Sequence, residues 1–127
     1  MSRDKVLVVD DDKEIRESLV ELLEDHGCTV MGAANGFEAL AALMRSEGAC
    51  LIFLDLSMPV MDGTRFREEQ LKRDEFKDIP VVLISAFANL RNHPKGLDVD
   101  AYLQKPLDAA VVLDLARRYC PCSHGSA

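Results

Sequence analysis

Five short apolar runs recur along the chain, separated by longer segments of mixed polarity, and this alternation strongly constrains the fold. The runs are Val6–Val9, Thr29–Met31, Leu51–Leu54, Val81–Ile84 and Ala101–Leu103. The first, third and fourth are continuously apolar, as in strands that are covered on both faces. Strands that alternate with helices predict an α/β fold with a doubly wound, five-stranded parallel sheet and helices on both faces.

The segments between the runs have the spacing of amphipathic helices. The predicted helices contain Ile15–Leu23, Phe37–Met44, Thr64–Arg73 and Val112–Tyr119. In the first of these, apolar residues recur at helical spacing, charged residues such as Arg16 are predicted to face solvent, and Gly27 marks the end. Asp108 is a candidate N-cap for the last helix. A fourth helix over Phe87–Gly96 is expected to be short or irregular, because Pro94 interrupts it.

Length and charge narrow the class of protein. A chain of 127 residues suits one compact domain, and we assign residues 1–120 to it and residues 121–127 to a short, disordered tail. The formal net charge of -7 argues against direct binding to nucleic acid, whose phosphates would be repelled. No apolar stretch approaches the roughly 20 residues that span a bilayer, and the first residues do not resemble a secretory signal. We therefore expect a cytoplasmic protein without membrane contact.

The chain has four cysteines. Cys28 and Cys50 lie beside strand-like runs, and we expect them to pack as small apolar groups. Cys120–Cys122 together with His124 offers two thiols and one imidazole, which are too few for a closed zinc site. A disulfide framework is not expected in a chain of this size in a reducing compartment.

Polar residues follow four of the five predicted strands. The first strand is followed by Asp10, Asp11 and Asp12, the third by Asp55, the fourth by Ser85 and the fifth by Lys105. In parallel sheets of this kind, ligands bind at the carboxyl ends of the strands, so these side chains are expected to converge. Two carboxylates about 4 Å apart repel by roughly 4 kcal/mol at an effective dielectric constant near 20, so a compensating cation is expected. Oxygen ligands without His or Cys favour Mg²⁺, with Mn²⁺ or Ca²⁺ as substitutes.

A magnesium site at this edge implies a phosphoryl substrate, because Mg²⁺ commonly bridges protein carboxylates and phosphate oxygens. Asp55 could then act as a nucleophile towards phosphorus and form an aspartyl phosphate. Lys105 would neutralise charge on the transferred group, and the Ser85 hydroxyl would donate to a phosphoryl oxygen. The structural alternative is that Asp10–Asp12 only cap the following helix, while the other polar residues belong to turns and the surface.

Four segments that contain these residues occur in order: VLVVDDDKEIRESL, FLDLSMPVMDG, VVLISA and YLQKP. Together they resemble a response-regulator receiver domain, the phospho-accepting module of two-component signalling. The resemblance covers about Lys5–Tyr119, and its form is that of a single-domain receiver of the chemotaxis type. It implies a flavodoxin-like fold with five helices and strand order 2-1-3-4-5.

The resemblance assigns a role to each residue of the predicted site. Asp55 resembles the phospho-acceptor. Asp10 and Asp11 resemble the acidic pair that binds the metal, and Ser57 resembles the residue whose backbone carbonyl is a further ligand. Lys105 resembles the lysine that binds the phosphoryl group.

Other residues resemble the switch and the rim of such a site. Ser85 resembles the switch hydroxyl, and Tyr102 the aromatic residue whose rotamer follows phosphorylation. Met58 and Pro59 resemble the loop that shapes the site. Phe87 lies at a rim position that is often polar in the family, and its ring is predicted to shield the acyl phosphate from water.

The function that the resemblance implies is a Mg²⁺-dependent receiver in a phosphorelay. A histidine kinase or phosphotransfer protein would donate a phosphoryl group to Asp55, and the chain would catalyse its own phosphorylation and dephosphorylation without being an enzyme for a separate substrate. A downstream protein would bind the face formed by the fourth helix, the fifth strand and the fifth helix. A phosphorylation-dependent homodimer is compatible with the same face.

Two alternative functions stay open. A pseudo-receiver would keep the fold as a phosphorylation-independent protein-binding module, but such chains usually lose an acid, the hydroxyl or the lysine, and all are present here. A phosphohydrolase of the haloacid dehalogenase type also uses an aspartyl nucleophile with Mg²⁺. It places an acid two residues after the nucleophile, where this chain has Ser57. Asp10 and Asp12 have this spacing, but Glu14 replaces the threonine expected soon after them.

Overall fold

The structure is a computed structural model that describes residues 5–46, 48–55, 61–85 and 99–120. The strands in these ranges are Lys5–Val9 (β1), Thr29–Ala33 (β2), Leu51–Asp55 (β3), Val81–Ser85 (β4) and Ala101–Gln104 (β5). The helices are Lys13–Asp25 (α1), Gly36–Ser46 (α2), Gly63–Leu71 (α3) and Ala109–Tyr119 (α4). The predicted fourth helix over Phe87–Gly96 and the predicted tail lie outside the described residues, so α4 is the helix predicted as the fifth.

The five strands form one parallel sheet in the order β2-β1-β3-β4-β5. This confirms the doubly wound α/β fold predicted from the alternation of apolar runs and helices. Every residue of β3 and β4 is buried, as their continuously apolar sequences predict. Val9 pairs with Leu54, and Asp55 pairs with Ile84. This register places the carboxyl ends of the three central strands side by side.

Helices cover the sheet on both faces because successive strand residues point to opposite sides. Leu7, Ile52 and Leu83 belong to a core cluster that includes buried residues of α2 and α3. The neighbouring strand residues belong to a second cluster with α1 and α4. Among the described helices, none is both long and apolar enough to cross a membrane.

Aspartates begin three of the described helices. The Asp12 carboxylate accepts hydrogen bonds from the backbone N–H groups of Glu14 and Ile15 at 3.0 and 3.3 Å. Asp62 and Asp108 cap α3 and α4 in the same way. Such caps typically contribute about 1 kcal/mol each. The capping alternative for the aspartate run after β1 is therefore correct for Asp12.

The expectation for the cysteines was wrong in one respect, because Cys50 and Cys120 form a disulfide. They lie 70 residues apart in the sequence, and their Cα atoms are 5.4 Å apart. The turn before β3 and the end of α4 meet at one edge of the sheet, and sequence spacing alone does not reveal this proximity. Cys28 is buried in the cluster below α1 and α4, as expected. Cys122 and His124 lie outside the described residues.

Candidate functional site

Three carboxylates converge at the carboxyl ends of β1 and β3. One oxygen from each of Asp10, Asp11 and Asp55 lies within 4.8 Å of the others. The convergence follows from the register, because Val9 pairs with Leu54 and the residues after this pair share one edge. Asp10 and Asp55 are buried, whereas Asp11 is exposed. The trio is thus held by the core on one side and is accessible to solvent through Asp11.

An ammonium group reaches the same place from the end of β5. The Nζ atom of Lys105 lies 3.4 Å from Oδ2 of Asp10 and 3.8 Å from Oδ1 of Asp55. The backbone N–H of Lys105 donates to the carbonyl of Ser85 at 2.9 Å, which joins this residue to the end of β4. A cis peptide bond joins Lys105 to Pro106. One ammonium cannot balance three carboxylates, so the trio keeps negative charge.

Two buried oxygens at this edge lack a hydrogen bond within the described part of the chain. These are Oδ2 of Asp10, which has only the ion pair with Lys105, and the hydroxyl oxygen of Ser85. Leaving a buried polar group unsatisfied costs about 1–3 kcal/mol. Ser85 follows Ile84, the register partner of Asp55, so its hydroxyl lies on the strand next to that carboxylate. Both oxygens therefore keep a hydrogen-bonding or metal-binding capacity that the described residues do not use.

The backbone around Asp10 is fixed by several hydrogen bonds. Its N–H donates to the carbonyl of Ala33 on β2 at 3.0 Å. Its Oδ1 accepts from the N–H of Asp12 at 2.9 Å. Its carbonyl accepts from Nη1 of Arg16 at 2.8 Å. Arg16 was predicted to face solvent, and this contact is the part of the site that sequence reasoning missed. The sequence indicates this contact only through the position of Arg16 in the first turns of the helix that follows the strand.

Burial raises the pKa of Asp55 from 3.8 to about 7. The negative charge of Asp10 and a hydrogen bond with Asp11 act in the same direction, whereas Lys105 lowers the pKa in part. Desolvation and a like charge both disfavour the ionised carboxylate. A cation bound at this edge would favour the ionised form, which is the form that can act as a nucleophile.

The donor set fits a hard divalent cation. Asp10, Asp11 and Asp55 supply oxygen ligands only, and Mg²⁺ and Mn²⁺ prefer such ligands. The buried Oδ2 of Asp10, which lacks a hydrogen bond from the described residues, agrees with this chemistry. The predicted carbonyl ligand, Ser57, lies outside the described residues, as do the predicted rim residues Met58, Pro59 and Phe87.

Tyr102 lies on β5, opposite Leu83 in the register, and it is 44% exposed. Its side chain is therefore largely at the surface and does not occupy a buried space next to Ser85. The predicted rotamer change of Tyr102 would need an inward state in addition to this one.

A family model of the response regulator receiver domain matches residues 6–117. The chain is 35% identical over 119 residues to Protein PilG of Pseudomonas aeruginosa, and the match covers 92% of this chain and 87% of that protein. It is 32% identical over 123 residues to sporulation initiation phosphotransferase F of Bacillus subtilis, with 95% and 97% covered. Some other relatives are longer, and the chain spans between 42% and 44% of their length.

Solved structures agree with this family. The chemotaxis response regulator CheY4 of Vibrio cholerae superposes with a TM-score of 0.82 at 29% identity, and the superposition covers 92% of this chain and 98% of that one. The family match covers most of the chain and includes β1 to β5 together with the acidic cluster. The chain therefore belongs to the response-regulator receiver domains of two-component signalling.

Proposed function

We propose that the chain accepts a phosphoryl group on Asp55 from a phosphohistidine and thereby acts as a switch in a phosphorelay. The observation that carries this proposal is the set of groups at one sheet edge: the buried Asp55, a second buried acid, the Lys105 ammonium and the buried Ser85 hydroxyl without a described partner. Membership in the receiver family supports a phospho-accepting role for the domain.

Asp10, Asp11 and Asp55, with the backbone carbonyl of Ser57, would hold Mg²⁺ or Mn²⁺. When bound, the cation would offset the charge of the carboxylates and of the phosphoryl oxygens that come close to them. The support for this part of the proposal is the trio of oxygens within 4.8 Å of one another, of which two are on buried residues.

In the transfer step, a carboxylate oxygen of Asp55 attacks the phosphorus of the phosphohistidine. The new O–P bond forms as the P–N bond breaks, and the electron pair of that bond stays on the imidazole nitrogen. Lys105, with its Nζ 3.8 Å from Oδ1 of Asp55, is close enough to bind a phosphoryl oxygen. The Ser85 hydroxyl would donate to another of these oxygens. Small donors such as acetyl phosphate would react in the same way, because the catalytic groups belong to this chain.

The partner that donates is a histidine kinase or a phosphotransfer protein, and the partner that reads the state is a protein. Phosphorylation adds negative charge next to Ser85, which is the last residue of β4, and next to Lys105, which directly follows β5. A charge placed there shifts the equilibrium between two conformations of the β5 and α4 surface. It acts as a ligand that binds one conformation better than the other. This surface, together with the predicted fourth helix, would bind the downstream protein or a second copy of the chain.

Intact-mass spectrometry after incubation with acetyl phosphate and Mg²⁺ tests the proposal. The wild-type chain should gain the mass of one phosphoryl group, and Asp55→Asn should gain none. Asp74→Asn is the matched control, because the Asp74 side chain is 97% exposed and lies in the turn after α3. This control should be phosphorylated as the wild type is. No gain by the wild type, from acetyl phosphate or from a phosphohistidine protein, would favour the pseudo-receiver instead.

A further inference from the structure

A second chemically distinct site lies at the opposite edge of the sheet from the acidic trio. Cys50 directly precedes β3, and Cys120 directly follows α4. Asp55 ends the same strand that Cys50 precedes, so the disulfide and the acidic trio lie near opposite ends of β3. The phosphoryl chemistry proposed above makes no use of this disulfide.

The surroundings of the two cysteines suit thiols as well as a disulfide. Both side chains are buried, Cys50 at 7% exposure and Cys120 at 2%, in the apolar cluster beneath α1 and α4. A cysteine thiol packs in such a cluster as a small apolar group. The Sγ atom of Cys50 lies 3.3 Å from the carbonyl oxygen of Lys5, which could accept a hydrogen bond from the thiol of the reduced residue. The reduced cysteines can therefore pack in the same cluster as the disulfide does.

We propose that Cys50 and Cys120 are a reversible redox modification site, which tethers the end of α4 to the start of β3 when it is oxidised. The end of the helix gives access to the pair. The N–H of Cys120 donates to the carbonyl of Ala116 at 2.8 Å, and this is a bond of the last helical turn. Helix ends open locally far more often than whole domains unfold, so a reagent can reach the sulfur atoms without global unfolding.

The oxidant is a low-molecular-weight disulfide such as oxidised glutathione. The thiolate of one cysteine attacks a sulfur of this disulfide, and one glutathione thiolate leaves as the mixed disulfide forms. The thiolate of the other cysteine then attacks the protein sulfur of the mixed disulfide, and the second glutathione leaves. Two electrons pass from the protein to glutathione, and the two cysteine protons end on the two glutathione thiols. Reduced glutathione in excess reverses both steps.

The tether changes the freedom of α4. The disulfide joins the end of this helix to the start of β3 across a sequence separation of 70 residues. A cross-link of this span removes much of the entropy of the unfolded chain. We therefore expect oxidation to raise the melting temperature by about 10–20 °C. Amide exchange in the last turn of α4 should be slower in the oxidised form.

Equilibration of the full chain in glutathione buffers of increasing oxidising power tests the proposal. Alkylation and peptide mapping should find Cys50 linked to Cys120 in the oxidising buffers and both residues alkylated in the reducing buffers, and the change should reverse. The melting temperature should follow the same transition. Cys50→Ala should abolish the redox-dependent shift. Cys28→Ala is the matched control, since Cys28 is buried in the same cluster but outside the disulfide, and it should keep the shift.

Three results would overturn the proposal. One is a melting temperature that is the same in the reducing and oxidising buffers. Another is a cross-link to Cys28 or Cys122 in place of the one between Cys50 and Cys120. The third is loss of the far-ultraviolet circular dichroism spectrum on reduction at room temperature, because the bond would then be a structural requirement and not a switchable tether. These measurements use the wild-type chain, so they decide the matter even if a cysteine variant fails to fold.

Discussion

Asp55 is a buried carboxylate that lies next to a second buried carboxylate, and the effect of this arrangement on the stability of the folded state depends on pH. Its pKa rises from 3.8 to about 7 in the folded chain, first because of burial and then because of Asp10. The folded state therefore holds the proton of Asp55 more tightly than the unfolded state does. This gives a stabilising contribution that is complete below the unfolded pKa and is lost as the pH rises through the folded pKa.

The first prediction follows from the upward shift in the pKa of Asp55. In the absence of divalent cations, the free energy of unfolding should lose a contribution of up to about 4 kcal/mol between about pH 4 and pH 8 because of Asp55. Asp55→Asn should lack this loss and should be more stable than the wild type at pH 8. Urea denaturation at a series of pH values measures the difference. Asp74→Asn, at a largely exposed position, should keep the wild-type slope. Equal slopes for wild type and Asp55→Asn would contradict the pKa shift.

Two adjacent aspartates allow a second prediction, because they have different surroundings. Asp11 contributes an oxygen to the acidic trio, whereas Asp12 caps α1. Asp11→Asn should weaken Mg²⁺ binding at least about tenfold, since even residues that only support metal ligands typically contribute this much. Asp12→Asn should leave the Mg²⁺ affinity unchanged to within a small factor. The increase in melting temperature with Mg²⁺ concentration measures both, and chelation with EDTA should reverse it. Similar affinities for the two variants would remove Asp11 from the metal site.

At the scale of elements, the ends of the central strands were the predictable part of the site. A short, continuous apolar run that alternates with helical segments is typical of a strand covered on both faces. The polar residue at its end is then expected at the end of the strand, and this located Asp55 and Ser85. Arg16 was missed, because helical periodicity indicates the face of a residue but not where a long side chain ends. The contact between Cys50 and Cys120 was missed because it depends on where two distant elements end in space.

The contact between α2 and the segment before α3 is another property that only the structure reveals. The N–H of Gly36, at the start of α2, donates to the carbonyl oxygen of Met61 at 2.9 Å. A Cβ atom at Gly36 would lie 2.7 Å from Cγ and 2.9 Å from the carbonyl oxygen of Met61. The side chain of Met61 can move away, but its backbone oxygen cannot do so without moving the chain that leads from β3 into α3. Gly36 therefore helps to position Met61 and the segment that leads directly into α3.

A third prediction tests this contact. Gly36→Ala should lower the free energy of unfolding by about 1–3 kcal/mol, as overpacking usually does, and should slow phosphorylation by acetyl phosphate. Gly32→Ala is the control, because the added Cβ would lie 3.5 Å from Cδ of Arg16, an ordinary contact. It should change neither quantity appreciably. Urea denaturation and the rate of phosphoryl gain by mass spectrometry give the two measurements. A Gly36→Ala chain as stable and as reactive as the wild type would show that Met61 shifts without cost.

On the scale of the whole molecule, β3 joins two sites that have different chemistry. Cys50 directly precedes this strand, and Asp55 is its last residue. A separation of five residues along a strand corresponds to about 17 Å, which is beyond the distance at which the effects of two substitutions usually interact. Every residue of β3 between these two ends is buried, and the strand is paired on both sides. If β3 keeps its position, substitutions at the two sites affect the free energy of unfolding independently. If a shift of the α4 end displaces β3, their effects are coupled.

The fourth prediction distinguishes these two cases. We expect the changes in the free energy of unfolding for Asp55→Asn and Cys50→Ala to add in the double variant to within about 0.5 kcal/mol. Urea denaturation of the four chains at pH 8 without divalent cations, all oxidised in the same glutathione buffer, gives the comparison. At this pH the Asp55 substitution relieves a buried charge and the Cys50 substitution removes the tether, so the two effects have opposite signs and arise at different ends of the strand. A deviation well above 0.5 kcal/mol would mean that the disulfide and the acidic trio are energetically coupled through the fold.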